Sequence, residues 1–216
     1  MKKFCGVLGI ILLLAAYFPQ TANAQETAME YLAAGVNFYR NDSDALAIAA
    51  LTEAIRLDPL LMLAYLTRGQ VYLFHVNGND YDRAIADFNQ AIRLNPNIAD
   101  TYYYRGYAYA GKNNLDSAIA DFNQAIRLDP NNANAYGERG DSYFRKGNTD
   151  SAIADFNEAI RLNPNHANNY FRRGFIHFRR GDNTRAIADF EAALRINPNH
   201  ADAKRGLEAV RQQQRR

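Results

Sequence analysis

Residues 84–97 read AIADFNQAIRLNPN, and this stretch returns nearly unchanged at intervals of 34 residues. The later copies are AIADFNQAIRLDPN at 118–131, AIADFNEAIRLNPN at 152–165 and AIADFEAALRINPN at 186–199. A more divergent copy, AIAALTEAIRLDPL at 47–60, begins 37 residues before the first. A fixed period of this length is typical of a stack of similar structural units, in which each unit contacts only its neighbours.

The spacing of small and aromatic residues predicts two helices in each unit. In the unit at 99–132, two sets follow the i, i+4, i+7 spacing of one helical face: Tyr102, Gly106 and Tyr109, then Ala118, Phe122 and Ala125. The small residues let two helix axes approach closely, while the rings fill the space beside them. Proline ends each second helix. The residue after each proline is expected to cap the next helix, and these residues are Asn97, Asn131, Asn165 and Asn199.

These spaced positions resemble the tetratricopeptide repeat over about residues 28–200. The resemblance implies an all-α fold: a right-handed α-solenoid of five tetratricopeptide helix pairs plus a C-terminal capping helix. The repeats are expected at 28–61, 62–98, 99–132, 133–166 and 167–200. The first is degenerate, and the second carries a three-residue insertion near its middle. Residues 201–216 are expected to form the capping helix and a basic tail, and the apolar side of that helix would carry Ala203, Leu207 and Val210.

Charges of opposite sign recur at two fixed positions, counted from the first residue of each repeat with the insertion skipped. Position 7 holds Arg68, Arg105, Arg139 and Arg173 in repeats two to five, and position 23 holds Asp87, Asp121, Asp155 and Asp189. In the first repeat both positions are alanine. Because an unpaired buried charge is costly, we expect each Arg to pair with an Asp across the helix interface.

The N-terminus has the pattern of a secretory signal peptide at 1–24. Lys2 and Lys3 precede the apolar stretch 6–18, and small residues at 22–24 predict cleavage after Ala24. Thirteen apolar residues are fewer than the roughly 20 needed to span a bilayer. We therefore expect a periplasmic or secreted protein with no membrane span after cleavage; an uncleaved anchor is the alternative. Cleavage would remove Cys5, the only cysteine, and leave no thiol.

The mature chain from 25 would carry 23 basic and 23 acidic residues, so its net charge would be zero. Residues 170–216 nevertheless hold 11 basic and 5 acidic side chains. We interpret this basic end as a solvated helical tail, with a docking patch for an anionic partner as the alternative. Nucleic acid is not expected as a partner of an exported protein.

The resemblance also implies a partner-binding groove on the first helices of successive repeats. Carried over by position, the predicted groove residues are Leu66, Gln70, Phe74, Tyr103, Tyr107, Phe144, Arg145, Phe171, Arg172, Phe175, Phe178 and Arg179. Neighbouring positions add Leu32, Val36, Leu73, Tyr104, Glu138 and Asp141. Aromatic side chains with flanking arginines are the composition that interface hot spots favour. Some of these rings could instead only pad the helix packing. The residues do not match the family's clamp for chaperone C-terminal carboxylates, since only Arg172 fits and Glu138 would repel a carboxylate.

No pattern of a catalyst or a metal centre is present in the sequence. The four histidines are scattered without the i, i+4 spacing of a helical metal site, and no phosphate-binding glycine loop or nucleophile elbow occurs. We expect neither enzymatic activity nor a cofactor.

Two irregular stretches depart from the repeat. The insertion lies within 75–79, where a functional loop and neutral drift are both possible. Residues 60–63 read LLML in place of a polar turn, and we favour packing beneath the first repeat over an exposed patch for a partner.

The sequence therefore predicts a non-enzymatic scaffold that binds a peptide or partner helix in its groove, in cell-envelope assembly or secretion. The alternative is a structural subunit that assembles with itself into a homo-oligomer, through the divergent first repeat or the basic end.

Overall fold

A computed structural model describes residues 24–74 and 80–215, and within these ranges the chain forms helices and no strands. In chain order the helices are α1 (Ala24–Arg40), α2 (Asp44–Leu57), α3 (Met62–Phe74), α4 (Tyr81–Leu94), α5 (Ala99–Gly111), α6 (Leu115–Leu128), α7 (Ala133–Arg145), α8 (Thr149–Leu162), α9 (Ala167–Arg179), α10 (Asn183–Ile196) and α11 (Ala201–Gln214). Residues 1–23 of the predicted signal peptide, which include Cys5, and the insertion at 75–79 lie outside the described residues.

The chain divides into two compact units, residues 1–112 and 113–216. In each unit every helix packs against the next one along the chain. First helices of neighbouring repeats also touch: α1 contacts α3 and α3 contacts α5 in the first unit, and α9 contacts α11 in the second. The predicted all-α helical repeat is confirmed: within the described residues the chain forms eleven helices and no strands.

The glycine at position 8 sets how closely the two helices of a repeat approach. A Cβ added at Gly69 would lie 2.6 Å from Cε1 of Phe88, the fully buried aromatic residue at position 24 of the same repeat. At Gly174 the same added atom would lie 2.9 Å from Cβ of Asp189 and 3.1 Å from Cε1 of Phe190. The aromatic ring therefore packs directly on the glycine backbone, as the small-residue pattern predicts.

The expected arginine–aspartate pairs form within the repeats whose two helices lie in one compact unit. Each Arg donates from Nε and Nη2 to both carboxylate oxygens, at 2.6–2.9 Å, in Arg68–Asp87, Arg139–Asp155 and Arg173–Asp189. These aspartates are buried, so the bidentate bonds replace the water that their carboxylates lose. Arg105 and Asp121 belong to different units, and their pairing stays a prediction.

The third guanidinium nitrogen of each arginine reaches the preceding repeat. Nη1 donates to position 25 of the previous second helix, in Arg68–Thr52 at 2.8 Å, Arg105–Asn89 at 2.7 Å, Arg139–Asn123 at 2.6 Å and Arg173–Asn157 at 2.6 Å. In repeats two, four and five one arginine side chain thus joins three helices: its own, the second helix of its repeat, and the second helix of the repeat before. The first repeat has no arginine there, yet Thr52 still accepts the bond from Arg68.

The helix caps differ from the prediction by one residue. Asn131 does not cap α7; Asn132 does, accepting from the backbone N–H of Ala135 at 2.9 Å. The N-cap residues of α5, α9 and α11 are Ile98, His166 and His200. The residue after each proline instead donates its backbone N–H to the side chain before the proline, for example Asn131 to Oδ1 of Asp129 at 3.0 Å. This Asx turn occupies the residue expected to cap, so the cap moves one position on. The same turn occurs at Asn97, Asn165 and Asn199.

Helix α11 covers the end of the second unit. Its Leu207 and Val210 are buried in one apolar cluster with Ala186 and Phe190 of α10, and Ala203 is fully buried. Arg211 adds an ion pair to Glu191 of α10 at 3.1 Å. The predicted capping face is therefore the face that packs.

The apolar run at 60–63 splits between the two interpretations. Leu61 packs against the core cluster of the first repeat, as expected. Leu60 is 74% exposed and Leu63 is 49% exposed, so neither is covered. Within 24–74 and 80–215, the helices are too short or too polar to cross a bilayer.

We expect Asp155→Ala to lower the free energy of unfolding by about 3 kcal/mol, because it leaves the Arg139 guanidinium without its buried partner. Glu158→Ala is the matched control on the same helix: its ion pair with Arg161 is largely exposed, so stability should hardly change. Urea unfolding monitored by circular dichroism measures both. Equal losses in the two variants would contradict a structural role for the buried pair.

Candidate functional site

The predicted groove residues of the first unit gather on α3 and α5. Phe74, 42% exposed, lies edge-on to Tyr104 with ring centroids 5.9 Å apart, and its centroid is 5.6 Å from that of Tyr107. The ring centroids of Tyr103 and Tyr104 lie 5.2 Å apart. We call these four residues the tyrosine cluster. Its rings are half-buried apart from Phe74, so they combine packing contacts with accessible aromatic surface.

Tyr104 is fixed from beneath and from the side. Its ring stacks on the buried Phe88, with centroids 6.1 Å apart and an interplanar angle of 20°. Burial and the nearby Asp100 raise the pKa of its phenol, while a hydrogen bond with Gln70 acts in the opposite direction. The hydroxyl therefore stays protonated at neutral pH, and Gln70 orients it.

Two positions carried over from the family are not accessible. Leu32 is buried in the apolar core of the first repeat, and Leu73 is 1% exposed among Tyr72, Ala84 and Phe88. The transfer by position was wrong for these two because their side chains turn into the helix interface. Val36 and Leu66 are half-buried and pack against the same two apolar clusters.

In the second unit the predicted residues enclose a pocket. Phe144 of α7 and Phe171, Arg172 and Phe175 of α9 line a space of about 170 Å³. Phe144 meets Phe175 edge-on, with centroids 5.9 Å apart and an angle of 87°. We call this the phenylalanine pocket. A single water needs only about 10–15 Å³, so the pocket has room for an apolar side chain.

Phe171 connects the pocket to the core of the second unit. Its centroid lies 6.0 Å from that of the buried Phe190 and 6.3 Å from that of Phe175. The imidazole of His200 packs 5.0 Å from the Phe171 ring and bonds through Nε2 to Asn168 Oδ1 at 2.8 Å. His200 is not among the groove residues predicted from the sequence. Its position after an Asn-Pro-Asn turn, at the start of the next first helix, is the feature that could have indicated it.

Charged groups border the phenylalanine pocket. The guanidinium of Arg172 is ion-paired with Asp141 of α7, and Arg145 donates to Asn113 Oδ1 at 2.8 Å. Burial, followed by the charge of Asp141, raises the pKa of Glu138, although Arg172 and Arg145 oppose this. The border thus carries two carboxyl groups beside an arginine that already has an acidic partner.

The remaining groove predictions lie near this pocket without lining it. Phe178 is half-buried and packs on the cluster around Phe190, so it contributes to helix packing. Arg179 is exposed on the last turn of α9. Over the residues that the structure describes, no three His, Cys, Asp or Glu side chains come together as a possible metal site.

Comparison with known proteins agrees with the repeat pattern and the helix pairs. A tetratricopeptide-repeat family model matches residues 75–133 and 138–213, which is more than half of the chain. The chain belongs to the tetratricopeptide-repeat family. Repeats of this family generally form non-catalytic surfaces for protein–protein interaction, so the chain has the fold of an interaction scaffold. No curated protein sequence matches the chain significantly.

Solved structures with the same fold include several tetratricopeptide-repeat proteins. MamA is 26% identical, with a TM-score of 0.71 over 82% of this chain and 94% of MamA. YrrB, described as having an unusual peptide-binding site, is 22% identical with a TM-score of 0.69 over 84% of this chain and 92% of YrrB, and this likeness concerns the fold alone. The first repeat domain of Spaghetti (RPAP3), bound to the HSP90 peptide SRMEEVD, is 28% identical with a TM-score of 0.53 over 55% of this chain and 94% of that domain.

We expect Glu138→Gln to be more stable than the unchanged chain at about pH 7, and the difference to disappear near pH 4. The carboxyl pKa is raised above 4.5 in the folded chain, so the stability that depends on Glu138 is lost as the pH rises through that raised pKa. Glutamine keeps the shape and cannot ionise. Thermal unfolding between about pH 4 and 8 measures the difference.

Glu158→Gln serves as the control, because the hydrogen bond from Arg161 lowers the pKa of that exposed carboxyl. It should show no gain at neutral pH. A Glu138→Gln variant equally or less stable at neutral pH would show that burial does not disfavour this carboxylate.

Proposed function

We propose that this protein is a non-enzymatic scaffold that holds an extended peptide or a partner helix on the first helices of its repeats. The observation that supports this most is the phenylalanine pocket, where three aromatic rings and one arginine surround a space of about 170 Å³. Aromatic and arginine side chains that become buried when a partner binds contribute most of the binding energy in protein interfaces.

The pocket is more than padding for helix packing. If the rings served only to fill the interface, they would close on one another, yet Phe144 and Phe175 meet edge-on and leave the space open beside them. An apolar side chain from a partner would bury against all three rings at once.

The charged border restricts which partner segments fit. A C-terminal carboxylate would approach Glu138 and Asp141, and the arginine that would bind it is already paired with Asp141. We therefore propose an internal segment with an apolar anchor, and a basic residue beside the anchor would face the two acidic groups. The sequence likewise lacks the residues of the family's clamp for chaperone C-terminal carboxylates.

The tyrosine cluster offers a second contact surface in the first unit. Phe74 projects there with 42% of its surface exposed, next to phenols that can both stack and hydrogen-bond. Aromatic side chains with polar tips adapt to varied partners at low entropic cost. We propose that this cluster contacts the same class of partner.

We further propose that the scaffold acts in the periplasm or outside the cell, in envelope assembly or secretion. The support is the sequence pattern of residues 1–24. We expect the protein recovered from the envelope fraction of a bacterial host to begin at Gln25, and mass spectrometry of the intact chain measures this. A recovered chain that still contains residues 1–24 would favour the uncleaved anchor, and a chain confined to the cytoplasm would exclude export.

Self-assembly is the second candidate, supported by the exposed Leu60 and Leu63 near the start of α3. Two uncovered leucines in one turn are the kind of apolar surface that association buries. Light scattering across a range of protein concentrations tests this candidate, since self-assembly requires a molar mass that rises with concentration.

Photo-crosslinking tests the groove directly. With p-benzoylphenylalanine in place of Phe175 or Tyr107, ultraviolet light should link the chain in cells to the same partner protein. The same group at Arg161, exposed on α8, is the matched control and should give no such adduct. Phe144→Ala with Phe175→Ala should weaken that partner's affinity by at least about 30-fold, the loss typical of a hot spot.

Adducts from residue 161 but not from residues 107 and 175 would contradict the groove assignment. An adduct consisting of two copies of this chain would support self-assembly instead.

A further inference from the structure

A second pocket in the second unit lies among α8, α9 and α10 and has a volume of about 370 Å³. Its lining includes Arg173 and His177 of α9, Arg185 and Asp189 of α10, and Asn157 of α8. This volume lies within the range of ligand pockets, roughly 300–1,000 Å³. Residues 173 and 177 follow residues 171 and 175 by two positions, so they lie on the side of α9 opposite the phenylalanine pocket.

The pocket coincides with a substitution in the repeat. Position 11 is tyrosine in repeats two to four and His177 in repeat five. In repeat four the guanidinium of Arg139 lies 5.3 Å from the Tyr136 ring centroid and 5.9 Å from that of Tyr143, at position 11. In repeat five the equivalent Arg173 has the Tyr170 ring at 5.8 Å, and the smaller imidazole stands where the second phenol would be.

A second arginine in the pocket also has a tyrosine-binding counterpart in this chain. Arg185 is at position 19, and in repeat two the residue at position 19 is Arg83, whose guanidinium lies 4.6 Å from the ring of Tyr72 at position 11. Repeat five therefore has arginines at both positions 7 and 19. In other repeats an arginine at either of these positions contacts the tyrosine ring at position 11. Cation–π contacts of this kind attract aromatic rings.

His177 supplies a polar group at the same place. Its ring nitrogens have no hydrogen-bond partner among residues 24–74 and 80–215. Burial lowers the pKa of the imidazole. The charges of Arg173 and Arg185 also lower this pKa, whereas those of Asp189 and Asp182 raise it. The ring is thus neutral at neutral pH, with one nitrogen able to accept a hydrogen bond from a hydroxyl.

We propose that this pocket, the position-11 pocket, binds a tyrosine side chain of a partner polypeptide. The phenol ring enters the space beside the imidazole of His177, next to the guanidinium groups of Arg173 and Arg185, and its hydroxyl donates a hydrogen bond to a ring nitrogen of His177. The site is separate from the groove and does not depend on the function proposed for it.

The four histidines make a direct test possible, using p-cresol as the isolated tyrosine side chain. Proton–carbon NMR spectra of the purified protein resolve ring signals for His75, His166, His177 and His200, and His177→Tyr identifies one by its loss. We expect p-cresol to shift the His177 signal saturably, with a dissociation constant in the millimolar range for so small a ligand. Toluene, which lacks the hydroxyl, should bind several-fold more weakly.

Ala188→Leu provides the blocking variant, because Ala188 is exposed and lines the pocket, so a larger side chain fills the site while His177 stays observable. The p-cresol dissociation constant measured at His177 should rise at least about tenfold. His200, which packs on Phe171, reports binding in the phenylalanine pocket separately.

Three results would overturn the proposal. One is the absence of a saturable shift of His177, and another is a shift that persists unchanged in Ala188→Leu. The third is saturable binding of inorganic phosphate in place of p-cresol, which would make the pocket an anion site.

Discussion

The contact between a glycine in the first helix and a buried aromatic ring in the second is the constraint on which the fold depends. Helices of 13–14 residues are marginal alone, so they persist only when they bury an apolar face. The ring of Phe88 lies so close to Gly69 that any side chain there would displace it. Because this approach recurs in successive repeats, it fixes how each first helix is presented, and therefore the surface that partners can reach.

The arginine–aspartate pairs add specificity to this packing. Buried ion pairs often contribute little net stability, since desolvation offsets their attraction. Their bidentate geometry nevertheless allows few alternative alignments, and Nη1 of Arg139 also bonds to Asn123 of the preceding repeat. Near-identical helices could stack out of register, and the loss of several charged hydrogen bonds would disfavour such slipped arrangements. Their role is thus closer to alignment than to stabilisation.

The period and the paired charges could be predicted because they repeat, and repetition makes a spacing visible in a single sequence. Local details that depend on competition between neighbouring groups could not. The caps lie one residue later than predicted because the backbone N–H of Asn131 donates to the side chain of Asp129. This bond places Asn131 in a turn instead of at the helix cap. Leu73 was wrongly predicted to line the groove. Its position in the repeat specifies the helix face on which it lies but not whether its side chain is buried there. The position-11 pocket required coordinates, since the sequence shows His177 but not the space left beside it.

Helix α9 carries both proposed sites, Phe175 on one side and Arg173 and His177 on the other. Coupling between them would require α9 to shift or rotate against α10. The packing of Gly174 on Phe190 and the bidentate bonds of Arg173 to Asp189 both resist such movement. A ligand at one site changes the affinity of another site only by favouring a different arrangement of the protein. These contacts hold α9 in one arrangement on α10. The two faces should therefore bind independently, so that one helix can hold two segments at once and bring them together by proximity alone.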